Sequence, residues 1–332
     1  MAHELEVIGD TATGRKASMA YAKSGGVPWH GLGAAGDDTW TLDQWGRESG
    51  VLYAVDKRPT FFKAADGAFK PTGQFSLVRD RDEAFYGTCS EHWEPIQNAT
   101  ALEFFRDFIA AGNMTMETVG SIKNGQIMWA LAKVRDAGFT ILKKDRVEPY
   151  MLFANPHIVG RAWSVRATAI RVVCNNTYSA AMSVEARHEV RGAHTKKFDP
   201  EMVKNALGLS AESMTQYREQ AEFLAKRRVK DATVVDYFKR VFDLKETKGE
   251  SAGEKAANLR TQRQIEKLRD ILVTQPGADL GRGTMWAAFN AATFYADHVA
   301  GKSADARLTS AWFGQNATRK QSAMKLALEL AA

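Results

Sequence analysis

Residues 116–134 read METVGSIKNGQIMWALAKV, and this stretch decides the fold. Two runs of strand-forming residues flank Asn124-Gly125, a pair that readily takes the positive φ angles of a type I′ turn. Because the twist of that turn suits two antiparallel strands, the stretch predicts a β-hairpin.

Further short strands are predicted on both sides of the hairpin. Before it, Pro59–Phe62 and Gln74–Arg79 are separated by Asp66-Gly67, a typical turn pair. After it, three strands are predicted, over Phe139–Lys143, Tyr150–Phe153 and Thr168–Cys174. No helical pattern interrupts the hairpin and the three strands after it, so this part of the chain indicates an antiparallel meander.

Helices are predicted around the meander and after it. Apolar residues at helical spacing indicate a helix over residues 99–111, and Asn175 to Thr177 would cap a helix over 178–186 that packs across the sheet. From Pro200 onward the predicted helices are 200–227, 231–244, 255–273, 284–299 and one after Asn316. The fold class is therefore α+β: an antiparallel β-meander packed by a helix, followed by a mostly helical C-terminal region.

Composition shifts suggest three regions. A Gly-rich N-terminal arm covers residues 1–50, irregular except for a short helix from about Leu42 to Glu48. An α+β core with the antiparallel sheet covers 51–199, and a helical region covers 200–332, with a charged linker near 243–254.

The overall composition excludes several classes of protein. Among 332 residues, 45% are hydrophobic and 25% charged, with 26 Gly and 8 Pro, which excludes a collagen-like or low-complexity chain. Two cysteines cannot form a disulfide framework or a four-thiolate zinc site. We expect no membrane partner, because no apolar run approaches 18 residues, and no signal peptide, because residues 1–10 lack its pattern.

Charge is unevenly distributed along the chain. Residues 121–240 carry a net charge of +9, whereas residues 1–120 carry −6 and residues 241–332 carry +3. A basic central third favours contact with a polyanion such as nucleic acid. The alternative is that these side chains only keep helix surfaces solvated.

Candidate nucleic-acid contacts come from this basic third. The cationic candidates for binding phosphates are Lys143, Lys144, Arg161, Arg166, Arg171, Arg187, Arg191, Lys196, Lys197, Arg227 and Arg228, the last two within the dense run Lys226–Lys230. Asn175, Asn176 and Thr177, at the predicted helix start, would present backbone N–H groups to a phosphate. Four aromatic residues of the predicted strands could stack on bases, and two of them are expected in the core instead. The other two, Tyr150 and Trp163, are the candidates for stacking on bases.

The sequence supplies little for catalysis. His188 and His194, with Glu185 or Glu189, are six residues apart and separated by Gly192, which does not place them on one helix face. Gly281-Arg282-Gly283-Thr284 lacks the lysine of a phosphate-binding Walker loop. We predict no catalytic residue, no metal and no cofactor; whether the protein is an enzyme stays open, and a non-enzymatic role is favoured.

Four segments resemble a known family. They are Pro28–Gly33, Pro149–Phe153, Ile170–Thr177 and Gly283–His298. In order and length they are similar to the phage/plasmid-like family built on domain of unknown function 932. The resemblance implies a bacteriophage or mobile-element origin, hence a location in the host cytoplasm, and it implies no particular reaction.

The predicted order of elements offers a more distant likeness. A meander followed directly by a helix packed across it resembles the core of the Rad52-like single-strand annealing proteins. That likeness implies single-stranded DNA in a basic groove and subunits assembled into a homo-oligomer.

Three functions from different classes follow. The first is a non-enzymatic protein of phage recombination or replication that binds single-stranded nucleic acid and anneals DNA. The alternative is a phage accessory protein that binds a host or viral protein, for example against a host defence, suggested by the acidic first third and the Gly-rich arm. The third is a metal-dependent nuclease using His188 and His194.

Overall fold

The computed structural model describes residues 7–11, 14–25, 33–37, 39–142, 144–171, 176–179, 189–195, 198–199, 210–249, 251–302, 307, 310–311 and 314–332. The chain divides into two compact units. Unit 1 comprises Met1–Arg135, Met151–Arg166 and Glu189–Leu207, and unit 2 comprises Asp136–Tyr150, Ala167–His188 and Gly208–Ala332. Each unit has its own hydrophobic core.

The α+β class is confirmed by the elements of the described residues. The strands are β1 Val7–Thr11, β2 Gly14–Ala17, β3 Met19–Ala22, β4 Ala34–Gly36, β5 Val55–Lys63, β6 Phe69–Arg79, β7 Phe85–Cys89, β8 Met114–Ile122, β9 Ile127–Val134, β10 Phe139–Ile141, β11 Asp145–Pro156, β12 Trp163–Arg171, β13 Asn176–Ser179 and β14 Glu189–Gly192. The helices are α1 Leu42–Glu48, α2 Asn98–Glu103, α3 Arg106–Ala110, α4 Ser210–Lys226, α5 Asp231–Phe242, α6 Ala252–Thr274, α7 Met285–Phe294 and α8 Gln315–Ala331, with a 3-10 turn at Lys23–Gly25 and a π-helix at Tyr295–Val299.

Unit 1 is built on two main sheets, and strands β1 and β2 form a separate two-stranded sheet. In the larger sheet the strands of unit 1 follow the order β12–β11–β9–β8–β3–β4, with β14 antiparallel to the first half of β12. The smaller sheet has the order β5–β6–β7. The described parts of residues 1–50, the predicted Gly-rich region, are more regular than predicted. Strand β3 pairs with both β8 and β4, and its alanines Ala20 and Ala22 are buried.

The predicted central hairpin is confirmed, with a different turn. Strands β8 and β9 pair in the register Ile122↔Ile127, which leaves a four-residue loop instead of a two-residue type I′ turn. Lys123, Asn124 and Gly125 all have positive φ, at 54°, 53° and 77°. The Asn-Gly pair was thus the correct signal for the turn, and Lys123 joins it in the left-handed region.

One predicted helix is broken in two. Residues 99–111 form α2 and α3, separated by Phe104 and Phe105, which are 1% and 0% exposed. Consecutive residues of one helix point about 100° apart, and the break lets both rings pack near Phe153, at centroid distances of 5.6 and 6.4 Å.

In unit 2, helices pack around one apolar helix. Nine residues of α7 are buried, consistent with a sequence that is apolar on every face. The Trp286 ring of α7 lies 6.4 Å from Tyr217 of α4, and its indole Nε1 donates to the buried Asp145 carboxylate at 2.8 Å. Helices α7 and α8 pack beside β13. The predicted helix over 178–186 is wrong where the structure describes it, because Tyr178 and Ser179 pair with β12; residues 180–186 lie outside the described residues.

The predicted C-terminal helices are confirmed. They correspond to α4, α5, α6, α7 with the following π-helix, and α8. Residues 200–209 of the first predicted helix lie outside the described residues. Inside this unit a buried ion pair joins Lys320 of α8 to Asp297 of the π-helix at 2.6 Å.

The hairpin loop is held by side chains that lie in the smaller sheet or just before it. Tyr86 Oη donates to the Asn124 carbonyl at 3.1 Å, and Tyr53 Oη donates to the Gly125 carbonyl. The Arg79 guanidinium is 1% exposed and lies over both tyrosine rings, 5.3 and 5.7 Å from their centroids. This packing fixes how the smaller sheet sits on the hairpin within unit 1.

Gly125 is expected to be the least replaceable residue of this loop. A Cβ at Gly125 would collide with Arg79 Nη1 and lie 2.6 Å from Tyr86 Oη, in addition to the cost of φ +77°. We expect Gly125→Ala to lower the free energy of unfolding by about 3 kcal/mol. Urea denaturation followed by tryptophan fluorescence measures this loss.

Gly67→Ala is the matched control. Gly67 also has a positive φ, +84°, but a Cβ there meets no atom within 4 Å. Its expected loss is about 1 kcal/mol, the cost of the backbone conformation alone. Equal losses in the two variants would show that the packing against Arg79 and Tyr86 imposes no constraint.

Candidate nucleic-acid interface

The most basic described segment of unit 2 connects two helices. Helix α4 ends at Lys226, the chain runs on through residues 227–230, and α5 begins at Asp231. Lysine in the last turn of a helix interacts favourably with the negative end of the helix dipole. Arg227 lies over the Phe223 ring, 4.6 Å from its centroid. The segment Lys226–Lys230 therefore presents four cations in five residues.

A second loop is joined to this segment by backbone pairing. Residues 227–229 run beside residues 283–285, where Arg228 and Thr284 form an isolated antiparallel bridge. The hydrogen bonds run from Val229 N to the Gly283 carbonyl at 3.1 Å and from Met285 N to the Arg227 carbonyl at 2.9 Å. The Thr284 hydroxyl donates to the Gly281 carbonyl at 2.6 Å, which closes the loop before α7.

The pairing brings a fifth cation to the same place. Arg228 Nη1 donates to the carbonyl of Arg282 at 3.3 Å, so the two arginines lie side by side on this loop. Gly283, between Arg282 and the bridge, has φ +78°, and a Cβ there would lie 2.8 Å from Arg228 Nη1. Glycine at position 283 thus makes room for the guanidinium.

These cations are exposed and have no acidic partner in the part of the chain that the structure describes. We call the following five residues the basic cluster: Lys226, Arg227, Arg228, Lys230 and Arg282. Neighbouring cations differ from them, because Arg218 pairs with Glu222 at 2.9 Å and Arg269 pairs with Asp231. An exposed cluster without carboxylates is a site that attracts phosphates.

Lys144 lies near the basic cluster. It is exposed in the turn between β10 and β11. Leu142 of the same turn reaches the loop, since its Cδ1 would lie 3.6 Å from a Cβ at Gly281. Of the predicted phosphate contacts, Arg227 and Arg228 thus lie at the bridge, and Lys144 belongs to the turn whose Leu142 reaches the same loop. Lys143 is outside the described residues.

Other predicted contacts are placed elsewhere. Arg161 and Arg191 are exposed, but they belong to unit 1. Arg166 is 4% exposed, so in this structure its side chain does not reach the surface. Its neighbours on both sides, Val165 and Ala167, are buried as well. Because apolar and polar residues do not alternate here between a buried and an exposed face, the sequence did not show that Arg166 is buried.

The predicted phosphate site at a helix start is not formed. Asn176 and Thr177 lie in β13, where they pair with Arg171 and Ile170. Pairing with a neighbouring strand prevailed over the capping preference of Asn and Thr. The remaining candidates, Asn175, Arg187, Lys196 and Lys197, fall outside the described residues, as does the side chain of Arg171.

The two aromatic candidates for base stacking are core residues. Tyr150 is 8% exposed and Trp163 is 2% exposed. Trp163 stacks on Phe153 at 6.4 Å and meets Phe198 edge-on at 4.9 Å. Neither ring offers an open face in this structure. Strand aromatics on the inner face of a sheet cannot be distinguished by residue type from those on its outer face.

Of the two histidines considered for a metal site, the structure describes only His194. His188 is outside the described residues. His194 is buried, stacks on Trp93 at 4.4 Å, and shares a 3.1 Å hydrogen bond from Nδ1 with the Glu94 carbonyl. Within the described ranges, no three His, Cys, Asp or Glu side chains converge on a position that could hold a metal ion.

A second histidine lies in a buried polar cluster of unit 1. Asn98 Oδ1 accepts from His157 Nε2 at 2.9 Å and from Asn155 Nδ2 at 3.0 Å. The His157 ring stacks near Tyr86, with centroids 6.3 Å apart. Burial, with a smaller effect from His194, lowers the pKa of His157 to about 3. The ring is therefore neutral near pH 7 and stabilises the core as a hydrogen-bond donor.

This buried histidine predicts acid sensitivity. An unfolded histidine titrates near pH 6.5, so the contribution of His157 is complete above that pH and is lost as pH falls toward about 3. Between pH 7 and pH 5 we expect it to lower the free energy of unfolding by about 2 kcal/mol.

His157→Gln tests this expectation, because glutamine keeps a donor for Asn98 and does not titrate. Urea denaturation at pH 7 and pH 5 should show a drop about 2 kcal/mol smaller in the variant than in the natural protein. Titrating groups that do not interact with His157 contribute to both proteins alike. An identical pH dependence would mean that His157 does not titrate in this way.

Comparison with known proteins identifies the family. Residues 86–324 match the family model described as Domain of unknown function (DUF932). The match covers well over half of the chain, so the chain belongs to this family, as its sequence segments suggested. No curated protein and no solved structure matches it. Among the described helices, none has the length and apolar character needed to cross a membrane.

Proposed function

We propose that this member of the DUF932 family is a non-enzymatic protein that binds single-stranded nucleic acid and anneals DNA in phage recombination or replication. The basic cluster supports the proposal most directly. Five exposed cations surround one backbone bridge, and no carboxylate of the described residues lies within ion-pair distance of them.

Phosphates would bind this cluster without regard to sequence. Lysine and arginine side chains displace the counterions that surround a nucleic acid, which supplies affinity that falls as salt rises. The remaining N–H groups of Arg228, which already donates to the Arg282 carbonyl, match the oxygens of a phosphate. Contacts to the backbone leave the bases free to pair with a second strand.

One cluster reaches only a few nucleotides, so the proposal includes a homo-oligomer. Several copies of the chain would align their clusters along one strand and hold it extended. Annealing would then follow when two strands held in this way meet.

The salt dependence of binding tests the proposal. If all five cations contact phosphates of a single strand, the logarithm of the binding constant should fall with the logarithm of salt concentration with a slope of about −3.5. Fluorescence anisotropy with a labelled oligonucleotide measures the slope. In the double variant Arg228→Gln/Arg282→Gln, we expect weaker binding and a slope of about −2.

Arg218→Gln is the matched control. Like each substitution of the double variant, it removes one positive charge, here from a residue of α4 that pairs with Glu222. It should leave the affinity and the slope unchanged. Absence of binding at low salt, or equal effects of the three substitutions, would reject the basic cluster as the nucleic-acid site. Mixing two complementary labelled strands with the intact protein then measures annealing.

A further inference from the structure

The β5–β6 hairpin of unit 1 extends beyond its sheet. Its base is buried, with Val55 and Leu77 1% and 0% exposed. Strand β7 pairs with β6 only from Phe75 onward, toward Arg79. A bulge between Pro59 and Phe61 marks the point where the two strands continue alone. We call residues 60–74 the arm.

Large apolar side chains of the arm are exposed to solvent. Phe69 is 71% exposed, Phe61 54% and Phe62 51%. Exposed phenylalanines that cluster on one element mark an interaction surface. No described element of unit 1 buries these rings.

The strand register assigns these residues to two faces. Phe61 lies opposite Pro71, and Lys63 lies opposite Phe69, so these four residues share one face. Phe62 lies opposite Lys70 on the other face. The side chains of Thr60 and Thr72 are hydrogen-bonded to each other on this second face, which agrees with the assignment.

Each face therefore combines a ring with a cation. Lys63 stands directly across from Phe69, and Lys70 stands directly across from Phe62. Residues opposite each other in an antiparallel pair have Cβ atoms about 5 Å apart, and diagonal neighbours such as Phe61 and Phe69 are about 7 to 8 Å apart. A nucleotide offers the matching pair of groups, a flat base and an anionic phosphate.

We propose that the arm binds single-stranded nucleic acid by stacking bases on Phe61 and Phe69, with Lys63 beside a phosphate. This inference rests on the proposed function and locates a second contact, in unit 1, for the same ligand. Base stacking on aromatic side chains tolerates any sequence and requires unpaired bases.

A second copy of the chain is the less favoured occupant. The arm carries Lys63 and Lys70 against a single acidic residue, Asp66, which lies 3.7 Å from Lys70. Two arms packed face to face would bring the same lysines together. A polyanion instead complements their charge.

The test separates stacking from charge. The protein is titrated with a labelled oligothymidine and with an abasic oligonucleotide of the same length, which has the phosphates without the bases. We expect the natural protein to bind the oligothymidine about tenfold more tightly. The variant Phe61→Leu/Phe69→Leu should bind the oligothymidine about tenfold more weakly than the natural protein does. Its affinity for the abasic strand should equal that of the natural protein.

Phe85→Leu is the control variant. Phe85 is 61% exposed on β7, outside the arm, and its replacement should change neither affinity. Circular dichroism confirms that the substituted proteins keep their fold. Leucine retains the apolar character of the site, so a loss of affinity reports the aromatic ring.

The failures of the two proposals are distinguishable. If the natural protein binds neither strand at low salt, the proposed function fails and the arm proposal fails with it. If it binds both strands equally, or if the double variant keeps the preference for bases, only the arm proposal is overturned. Unchanged binding together with a smaller oligomer in sedimentation would instead assign the arm to contacts between copies of the chain.

Discussion

The backbone bridge between Arg228 and Thr284 is the interaction on which the basic cluster depends. It joins two loops whose bridged residues are 56 positions apart in the chain, and it places Arg282 beside Arg228. Like charges about 10 Å apart in water repel by about 0.4 kcal/mol before salt screens them. Two backbone hydrogen bonds and the buried helix α7 that follows hold the loops together against this repulsion. Phosphates would relieve the repulsion, which is the physical reason for proposing them as ligands.

In unit 1, the long β5–β6 hairpin is packed against the rest of the unit only at its base. The loop at Asn124 and Gly125 accepts hydrogen bonds from Arg79, Tyr53 and Tyr86. Arg79 also forms a bidentate ion pair with Asp82, at 2.7 and 2.6 Å. That pair lowers the pKa of the Asp82 carboxyl. A base fixed in this way allows the arm to remain exposed on both faces without support from a third strand.

Sequence patterns predicted the strands and helices better than they predicted how those elements pack and which side chains are buried. The hairpin and the C-terminal helices follow from local signals, namely Asn124-Gly125 and apolar residues at helical spacing. The break at Phe104 and Phe105 follows from packing against the distant Phe153, which no local pattern contains. The strand at Asn176 pairs with Arg171 only five residues earlier, and the capping preference of Asn concealed that pairing. Four of the five residues of the basic cluster could be predicted from the run Lys226–Lys230, whereas Arg282 could not be added to it, because only tertiary pairing brings it there. Trp163 shows the converse limit, since its residue type suits either face of a strand and the structure places it in the core.

The two proposed contacts divide the work of recognition between them. Cations of the basic cluster would hold phosphates equally well in single and double strands, so charge alone does not select an unpaired strand. Aromatic rings stack only on bases that are not already stacked in a duplex. Selectivity for single strands would therefore come from the arm, and affinity from the basic cluster. Once two complementary strands paired, the rings would lose their partners while the phosphates remained, and the weaker binding of the product would allow the annealed duplex to leave.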